Sequence, residues 1–587
     1  MLTGKRSREA IYALLVGLLA ASVYLNSLGN GFVYDDFAQI VQNQWLGDFR
    51  NIPAFFRTEV WGFHPGLMSN YYRPVMHLLN MVAYHLFGPG PMGFHMANLL
   101  LHSANSALVF LLALFIFGEA GLNPRFSGDP VTAALAAGII FAVHPAHTEA
   151  VDWIGGSPDL LMAFFSLCAL VFLVKRKSPW LQGLFFLLAM LSKEPAVMLL
   201  IAVPLFDIIS GRGQHSAKAA PLWKRYAPLA VAIIIYFGLR INALGGLVAF
   251  KEPNPPVGGL LPAALSAPFL FARYMAKMLL PAGLNVAYDF HPVLSFSDPR
   301  AIEGCAAILI FAAILVFSAY KDKRIFFGLC LLVLPLLPVF YFPALGRVAF
   351  GERYLYFPLA GFSLAAGGLF AAAASNSKAK NTVLTAGVLV AALLSIATVY
   401  RNPVWKSDLT LWGDAAMKSP GGYVPLVNLG VAEYKAGNIQ KAITLYQKAA
   451  MLDPSDYEAF FYLGKAYLAA KENVFAEGSF LQATRANPRF AESYYYLGVT
   501  FWEEGEPGLA KEAYKAAIAR DPLYHEAYNN LGGIYFAEGS YLKAAGAYRM
   551  ALQPGPEEAA VRFNLALALK KAREKKKAGT FPDADKN

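Results

Sequence analysis

Long apolar runs dominate the first 400 residues of this 587-residue chain and constrain its fold more than any other feature. About 20 apolar residues in a helix cross a hydrocarbon core roughly 30 Å thick. Runs that can do so, some of them short, begin at residues 9, 93, 131, 158, 179, 195, 226, 301, 325, 352 and 381. We therefore predict an all-α, polytopic membrane bundle of about eleven spans over residues 1–400.

Composition supports this class and argues against others. Hydrophobic residues make up 57% of the chain and charged residues 15%, a balance that a soluble protein of this length could not bury. The net charge of +11 is typical of Lys and Arg in cytoplasmic loops, so we expect no nucleic-acid partner. The three cysteines lie inside apolar runs without disulfide or zinc spacing. Because the N-terminal run lacks a convincing cleavage site, we expect an uncleaved first span.

Loop charges predict the orientation of the bundle. With the N-terminus inside, every second connection is cytoplasmic and carries basic residues: Arg125, Lys175 to Lys177, Arg212, Lys218, Lys224, Arg225, Lys321, Lys323, Arg324, Lys378 and Lys380. This holds only if two amphipathic segments, Pro74–Phe87 and Leu260–Leu280, lie on the outer surface instead of crossing. An odd number of spans then puts the C-terminal region outside. The loops 29–92, 144–159, 193–194, 250–258, 281–300 and 344–352 face the same side.

A period of 34 residues replaces the apolar runs from about Pro420. It is marked by Gly430, Gly464, Gly498 and Gly532, by Ala442, Ala476, Ala510 and Ala544, and by the aromatic residues Tyr446, Phe480, Tyr514 and Tyr548. This spacing is the signature of the tetratricopeptide repeat (TPR), a helix pair that stacks and binds extended peptides along a concave face. We predict a connector over 401–419, four repeats over 420–555, a capping helix over 556–572 and a basic, disordered tail over 573–587.

Two adjacent acids, Asp35 and Asp36, follow the first span in the sequence GFVYDDFAQI. Beyond a span and on the outer side, such a pair can supply a catalytic base or bind a polar ligand at the membrane surface. An ordinary helix cap or a solvated turn is the alternative interpretation.

A second polar group lies in HPAHTEAVDWIGGSPD, which begins at His144 and also contains His147, Glu149, Asp152 and Asp159. The spacing of the two histidines and Glu149 can suit a metal, although Pro145 interrupts it and no third ligand is forced. Polar packing at a helix end is an equal alternative. Because charged groups at a membrane edge are costly unless satisfied, we expect this segment to line a wet cavity.

Basic residues near the outer boundary form a third group: Arg73, Lys193, Arg240 and Arg353. Guanidinium groups bind phosphate in bidentate fashion, so a lipid phosphate is a natural partner for these charges. Pairing with a neighbouring acid such as Glu352 is the alternative.

These motifs together resemble a known family. The acid pair, the Arg73-Pro74 step, FHMANLLLHSAN, FAVHPAHTEAVDWIGGSPDLL, LSKEPAV and ERYLYFP, followed by TPRs, are similar to the TMTC proteins. Those are transmembrane-and-TPR O-mannosyltransferases of the GT-C superfamily, and the chain resembles a prokaryotic relative with fewer repeats than the eukaryotic members.

The resemblance implies a GT-C fold and an inverting transfer of a sugar, mannose by analogy, from a polyprenyl-phosphate donor to Ser or Thr of an exported protein. Asp35 and Asp36 would supply the general base and orient the substrates, and Arg73, Lys193, Arg240, Arg353 and Tyr354 would hold the donor phosphate. The residues expected to line the donor cavity are His102, His144, His147, Glu149, Asp152, Glu194 and Glu352. The scheme requires no metal or other cofactor, although the histidine spacing leaves a divalent metal open.

The same topology implies a multi-pass protein of the plasma (inner) membrane, with a cytoplasmic N-terminus and with the site and repeats extracytoplasmic. Two other functions stay open. One is a membrane-anchored TPR scaffold without activity. The other is a transporter for lipid-linked sugars, which the outward bias of the polar residues disfavours because alternating access needs polar groups near the bilayer midplane.

Overall fold

A computed structural model describes residues 2–64, 69–119, 122, 128–211, 222–246, 260–341, 349–552 and 559–577. These residues form helices and no strand, as the sequence predicts. The chain divides into two compact units, Met1–Lys418 and Ser419–Asn587. Several expectations fall outside the described residues: Arg125, Arg212, Lys218, the loop 250–258, the first part of the loop 344–352, and the tail beyond Lys577.

The first unit contains sixteen α-helices among its described residues. They are α1 (Leu2–Tyr24), α2 (Ile52–Phe55), α3 (Pro74–Phe87), α4 (Pro91–Phe117), α5 (Pro130–Val143), α6 (Thr148–Asp152), α7 (Ser157–Val174), α8 (Pro179–Ser192), α9 (Leu199–Ile209), α10 (Leu222–Leu244), α11 (Leu260–Leu279), α12 (Pro299–Lys321), α13 (Lys323–Val333), α14 (Pro358–Ala374), α15 (Lys380–Arg401) and α16 (Asp408–Lys418). Many begin at proline, whose missing N–H costs nothing at the first helical position. Side chains of Asp129, Ser178 and Asp298 accept backbone N–H groups at the starts of α5, α8 and α12.

Seven described segments are long and apolar enough to cross a membrane. They are Ser7–Gly29, Pro91–Phe117, Ile154–Val174, Trp223–Leu244, Pro299–Lys321, Lys323–Phe340 and Lys380–Lys406. The pair Pro130–Val143 and Pro145–Asp152, bent by 51°, makes an eighth if it is one broken span. Helices α8 and α14 are apolar but shorter. Every predicted run contains a helix, whereas the count of eleven spans stays a prediction.

Two of the apolar runs begin with a tighter helix than the sequence suggests. The run that begins at residue 195 is entered through a 3-10 helix, Glu194–Met198, ahead of α9. The run that begins at residue 352 opens with another, Glu352–Leu355, before α14 starts at Pro358. Both tight turns carry residues that the sequence singles out, so the irregular backbone coincides with the candidate site.

Apolar side chains cover the outside of this unit. On α12 Leu309 is 70% exposed, and on α15 Val388 and Leu393 are 68% and 65% exposed. Exposed apolar faces of this length mark contact with another apolar phase. Together with the span lengths, they define a multi-pass membrane protein.

The two amphipathic segments behave differently from the spans. Helix α3 has 14 residues and buries Met76, His77 and Asn80. Helix α11 has 20 residues and carries Arg273 and Lys277. Neither is among the described helices that are long and apolar enough to cross. Their position on the outer membrane surface stays a prediction.

The second unit consists of helix pairs. They are α17 (Tyr423–Lys435) with α18 (Ile439–Leu452), α19 (Tyr457–Ala469) with α20 (Asn473–Ala486), α21 (Ala491–Glu503) with α22 (Pro507–Arg520), and α23 (His525–Ala537) with α24 (Tyr541–Ala551), followed by α25 (Ala559–Lys577). A Cβ added at Gly498 would lie 2.7 Å from the ring of Tyr514. A Cβ added at any of the other three repeat glycines would lie 2.5–2.7 Å from the aromatic ring of the same repeat. Glycine is therefore required where the paired helices cross.

Two boundaries differ from the sequence-based expectation. Helix α25 continues through the basic run to Lys577, although the capping helix was expected to end at 572. Its last turns consist of Lys, Arg, Ala and Glu, which are strong helix formers. The expected connector 401–419 is also helical, because it contains the 3-10 helix Asn402–Lys406 and α16.

Candidate functional site

The acidic pair lies in a tight loop directly after the first span. Asp36 is fully buried, and its carboxylate accepts the N–H groups of Val33 at 3.1 Å and Gly155 at 2.9 Å. Gly155 belongs to the HPAHTEAVDWIGGSPD segment, so Asp36 ties the first outer loop to that segment. With both carboxylate oxygens occupied by backbone donors, Asp36 holds the loop.

Asp35 has a different environment. Its side chain is half-buried and makes no hydrogen bond or ion pair with the described residues. Burial raises the pKa of Asp35 to about 6, while the charge of Arg353 acts in the opposite direction. A carboxylate with a pKa close to neutral and no partner of its own has the properties of a general base.

Arg353 is held by an acid from the histidine-containing segment. Its guanidinium forms an ion pair with Glu149, and its backbone N–H donates to the same carboxylate at 2.9 Å. The guanidinium also lies over the rings of Trp153 and Tyr354, at 5.7 and 4.8 Å from the ring centres. The acid that pairs with Arg353 is therefore Glu149, 204 residues away, and the pairing with Glu352 suggested by the sequence is wrong.

Lys193 forms a buried ion pair with Asp159. Its ammonium nitrogen is 2.7 and 2.6 Å from the two carboxylate oxygens, and both side chains are only 5% exposed. The same nitrogen lies 4.8 Å from the centre of the Tyr354 ring. Tyr354 therefore lies between two cations, Lys193 and Arg353.

Glu194 pairs with the two remaining cations of the predicted phosphate-binding residues. It lies 3.4 Å from Arg73 and 3.5 Å from Arg240, measured between nitrogen and oxygen. Arg240 also donates to the carbonyl of Asn70 at 2.7 Å. The first outer loop and α10 are thereby linked through the turn that follows α8.

The three ion-paired groups are neighbours. Burial lowers the pKa of Lys193 to about 8, Asp159 opposes this shift, and the positive charges of Arg73 and Arg353 add to it. The charge of Asp159 also acts on Arg73 and on Arg353. In these described pairs four cations face three carboxylates, and Asp35, which interacts with Arg353, is a further acid beside them.

Glu352 pairs with a residue that sequence patterns did not single out. It lies 3.5 Å from Arg401 and accepts hydrogen bonds from the Asn285 N–H, at 2.5 Å, and from the Tyr288 hydroxyl. Burial raises the pKa of Glu352, and Arg401 opposes the shift. Arg401 lies at the end of the last apolar run, and this position is the sequence signal that could have identified it.

The predicted histidines are buried and packed against aromatic rings. His102 contacts the Tyr356 hydroxyl at 2.8 Å and the Ala142 carbonyl at 3.1 Å. His144 lies 3.0 Å from the Met278 carbonyl, and the ring of His147 is 4.4 Å from that of Phe141.

The described residues contain no group suited to a metal ion, and a cavity of this unit has other lining residues. Within the described ranges no three His, Cys, Asp or Glu side chains form a group suited to a metal ion. None of the seven residues predicted to line a donor cavity, Asp152 included, lines the cavity of about 260 Å³ in this unit. That cavity is lined by Pro145, Pro281, Gly283, Leu284, Ala397, Tyr400, Arg401, Val404, Asp414 and Lys418. The donor cavity stays a prediction.

The end of the last span and the residues after it lie against the loop that carries Asp35 and Asp36, which we call the acidic loop. We call residues 399–412 the exit segment. The Asp408 carboxylate accepts the Tyr34 N–H at 2.8 Å, and the Trp412 ring lies 5.3 Å from that of Tyr34. Sequence patterns did not single out Asp408, because a hydrogen bond across 374 residues leaves no trace in local spacing.

Fold and site together define a class: a multi-pass α-helical membrane protein with charged groups clustered in the membrane unit and a C-terminal TPR unit. Tetratricopeptide repeat models match residues 500–559 and 430–470. A solved structure of the MamA protein is 27% identical and covers 27% of this chain and 85% of its own, with a TM-score of 0.25.

Curated proteins match the chain over most of its length. A protein O-mannosyl-transferase of Caenorhabditis elegans is 26% identical over 73% of this chain and 60% of its own length. The protein O-mannosyl-transferase TMTC4 of Mus musculus is 29% identical over 73% of this chain and 65% of its own. The chain thus spans about 60% of the length of these relatives. The chain is therefore similar to proteins named as TMTC protein O-mannosyl-transferases.

Proposed function

We propose that this chain is a membrane glycosyltransferase. It transfers a sugar, mannose by analogy with its relatives' names, from a polyprenyl-phosphate donor to a Ser or Thr hydroxyl of an exported protein. The observation that carries the proposal is Asp35, an unpaired, half-buried carboxylate whose pKa of about 6 is influenced by Arg353. A base close enough to a cation to feel its charge suits a reaction in which a proton is removed and a phosphate is released.

The chemical step is a single displacement. Asp35 takes the proton of the acceptor hydroxyl while the oxygen of that hydroxyl forms a bond to the anomeric carbon. The bond from that carbon to the phosphate oxygen breaks, and the polyprenyl phosphate leaves with the bonding electrons. Attack from the face opposite the leaving group inverts the sugar configuration.

Positive charge assists the departure of the phosphate. Arg353, Lys193, Arg73 and Arg240 are already ordered by their acids, so they need no rearrangement when charge develops on the leaving group. In this proposal the protein's own cations stabilise the leaving phosphate, and Tyr354 fixes the distance between Lys193 and Arg353.

The repeat unit supplies the acceptor. TPR stacks bind extended peptides and partner proteins along their concave face. With the N-terminus in the cytoplasm, the loop charges predict that both the site and the repeats lie outside the plasma membrane. A protein acceptor is then in the same compartment as the base.

Replacement of Asp35 tests the function in cells. In a strain whose only copy is Asp35→Asn, we expect exported proteins to lose the modification, because Asn cannot accept the proton. Asp48→Asn, an exposed acid of the same loop that pairs with Arg50, should leave it intact. Glycoproteomics of the exported fraction measures both. Unchanged glycosylation in Asp35→Asn would contradict the proposal and favour an inactive TPR scaffold.

A further inference from the structure

The exit segment runs alongside the acidic loop and is bonded to it repeatedly. The pairs, each given as donor and acceptor residue, are Asn26 with Val399 at 3.0 Å, Asn30 with Asn402 at 3.1 Å, Gly31 with Lys406 at 3.0 Å, and Tyr34 with Asp408 at 2.8 Å. The four bonds are spread over residues 26–34, and the last of them is at Tyr34, the residue before Asp35. The position of the acidic loop is therefore fixed from the other end of the membrane unit.

The last of these contacts falls on an unusual backbone. Tyr34 has a φ of +52°, in the left-handed region that a bulky residue seldom adopts. Such a conformation persists only where the surroundings over-determine it. Here the Asp408 carboxylate accepts the N–H of Tyr34. The centre of the Tyr34 ring lies 5.3 Å from that of Trp412 and 6.2 Å from that of Trp153.

Asp35 takes its direction from this backbone. Its carboxylate has no hydrogen bond or ion pair with the described residues, so no side-chain contact of its own fixes where it points. Asp36, one residue further, is anchored to Gly155. Asp35 is thus held between two fixed points, Tyr34 and Asp36, and a change in the φ angle of Tyr34 would turn it.

We propose that Asp408 is a positioning residue for the transfer reaction: by binding the N–H of Tyr34, it keeps the backbone left-handed and Asp35 aimed at the acceptor. This inference rests on the proposed function, in which Asp35 is the base. It gives α16, the helix that leads into the repeats, a role in the reaction without contact with substrate.

A purely structural role of Asp408 predicts something different. Asp408 is the first residue of α16, so its loss could weaken the helix start. The neighbouring Ser407 also serves that start, since its hydroxyl accepts the Thr410 N–H at 3.3 Å. Among the described residues no hydrogen bond joins the Ser407 side chain to the acidic loop. Ser407→Ala is therefore a matched control for helix capping. Asp408→Asn keeps an oxygen that can accept the Tyr34 N–H.

The experiment compares Asp408→Ala, Asp408→Asn and Ser407→Ala as full-length protein in liposomes, with a polyprenyl-phosphate sugar and an acceptor peptide. We expect Asp408→Ala to lower kcat by roughly 10- to 100-fold, as small misplacements of reacting groups do. The KM for the donor should stay within about twofold, because ground-state binding is intact. Asp408→Asn and Ser407→Ala should stay close to wild type. Hydrogen exchange of residues 32–38 should quicken in Asp408→Ala alone.

Two results would overturn the positioning role: a wild-type kcat in Asp408→Ala, or equal losses in Asp408→Ala and Asp408→Asn. A wild-type chain without transfer activity would contradict the proposed function instead. Hydrogen exchange then still decides whether Asp408 holds the loop, because unchanged exchange at residues 32–38 in Asp408→Ala would show that it does not.

Discussion

At the residue scale, the two acids of the first outer loop have separate tasks. Both carboxylate oxygens of Asp36 accept backbone N–H groups, whereas the Asp35 carboxylate makes no hydrogen bond with the described residues. Sequence alone cannot separate adjacent acids, because the distinction depends on Gly155, which is far away in the chain. In the structure Asp36 is tied to the backbone, and the Asp35 carboxylate makes no hydrogen bond with the described residues.

The pH dependence of the reaction follows from Asp35. Burial raises its pKa to about 6, and only the ionised form accepts a proton. We expect kcat/KM to fall as the pH is lowered through about 6. A pH–rate profile of the reconstituted protein measures this limb. A rate that stays constant down to pH 4, near the ordinary pKa of an aspartate, would show that another group is the base.

The same shift has a consequence for stability. A carboxyl whose pKa is higher in the folded than in the unfolded protein favours the folded state when protonated, so this contribution is lost as the pH rises towards 6. Asp35→Asn is therefore expected to be at least as stable as wild type at pH 7. Thermal unfolding in detergent measures this, and a clear drop in the midpoint would assign Asp35 a structural role.

The buried pair of Lys193 and Asp159 should be costly to break. Lys193→Met leaves a buried carboxylate without its partner, which costs about 3–5 kcal/mol in comparable cases. Lys515→Met, in an exposed pair with Glu512, should change stability little. Denaturant titrations of both full-length variants measure the difference. Equal stability would mean that the Lys193 pair is hydrated and weak.

At the element scale, local signals predicted the helices but not their interruptions. Apolar length predicted where the spans lie, and the 34-residue period predicted the helix pairs of the repeats. The 3-10 turns at Glu194 and Glu352 were not predictable, because they depend on partners such as Arg73 and Arg401. The candidate cations were predictable as a set. Their acids were not, because Glu149 and Arg353 meet only through the fold.

Packing between the repeat helices gives a prediction with an internal control. Gly498→Ala would place a Cβ 2.7 Å from the Tyr514 ring, and overpacking of this kind costs about 1–3 kcal/mol. Gly478→Ala meets open space in the middle of α20 and should stabilise the helix by about 0.5–1 kcal/mol. Hydrogen exchange in α20, α21 and α22 of the full-length protein reports both. Destabilisation by both changes alike would contradict the packing account.

At the scale of the whole molecule, the proposed protein acceptor requires the repeats to lie outside the membrane. In a chain without its three native cysteines, Asp521→Cys should react with a membrane-impermeant maleimide added from outside, because the predicted odd number of spans would export the C-terminal unit. A cysteine at Lys177, in a predicted cytoplasmic loop, should stay protected until the membrane is opened. Protection of Asp521→Cys would contradict the predicted orientation.

In the proposed reaction, a sugar moves from a lipid phosphate to a protein hydroxyl with Asp35 as the base. The most direct measurement uses purified protein in liposomes with synthetic polyprenyl-phosphate mannose and a serine-containing peptide. The glycopeptide is followed by mass spectrometry and its anomeric configuration by NMR. We expect an inverted product from wild type and from Asp48→Asn, and a rate lower by about 10²–10⁴-fold in Asp35→Asn. A retained configuration, or full activity in Asp35→Asn, would contradict the proposed reaction.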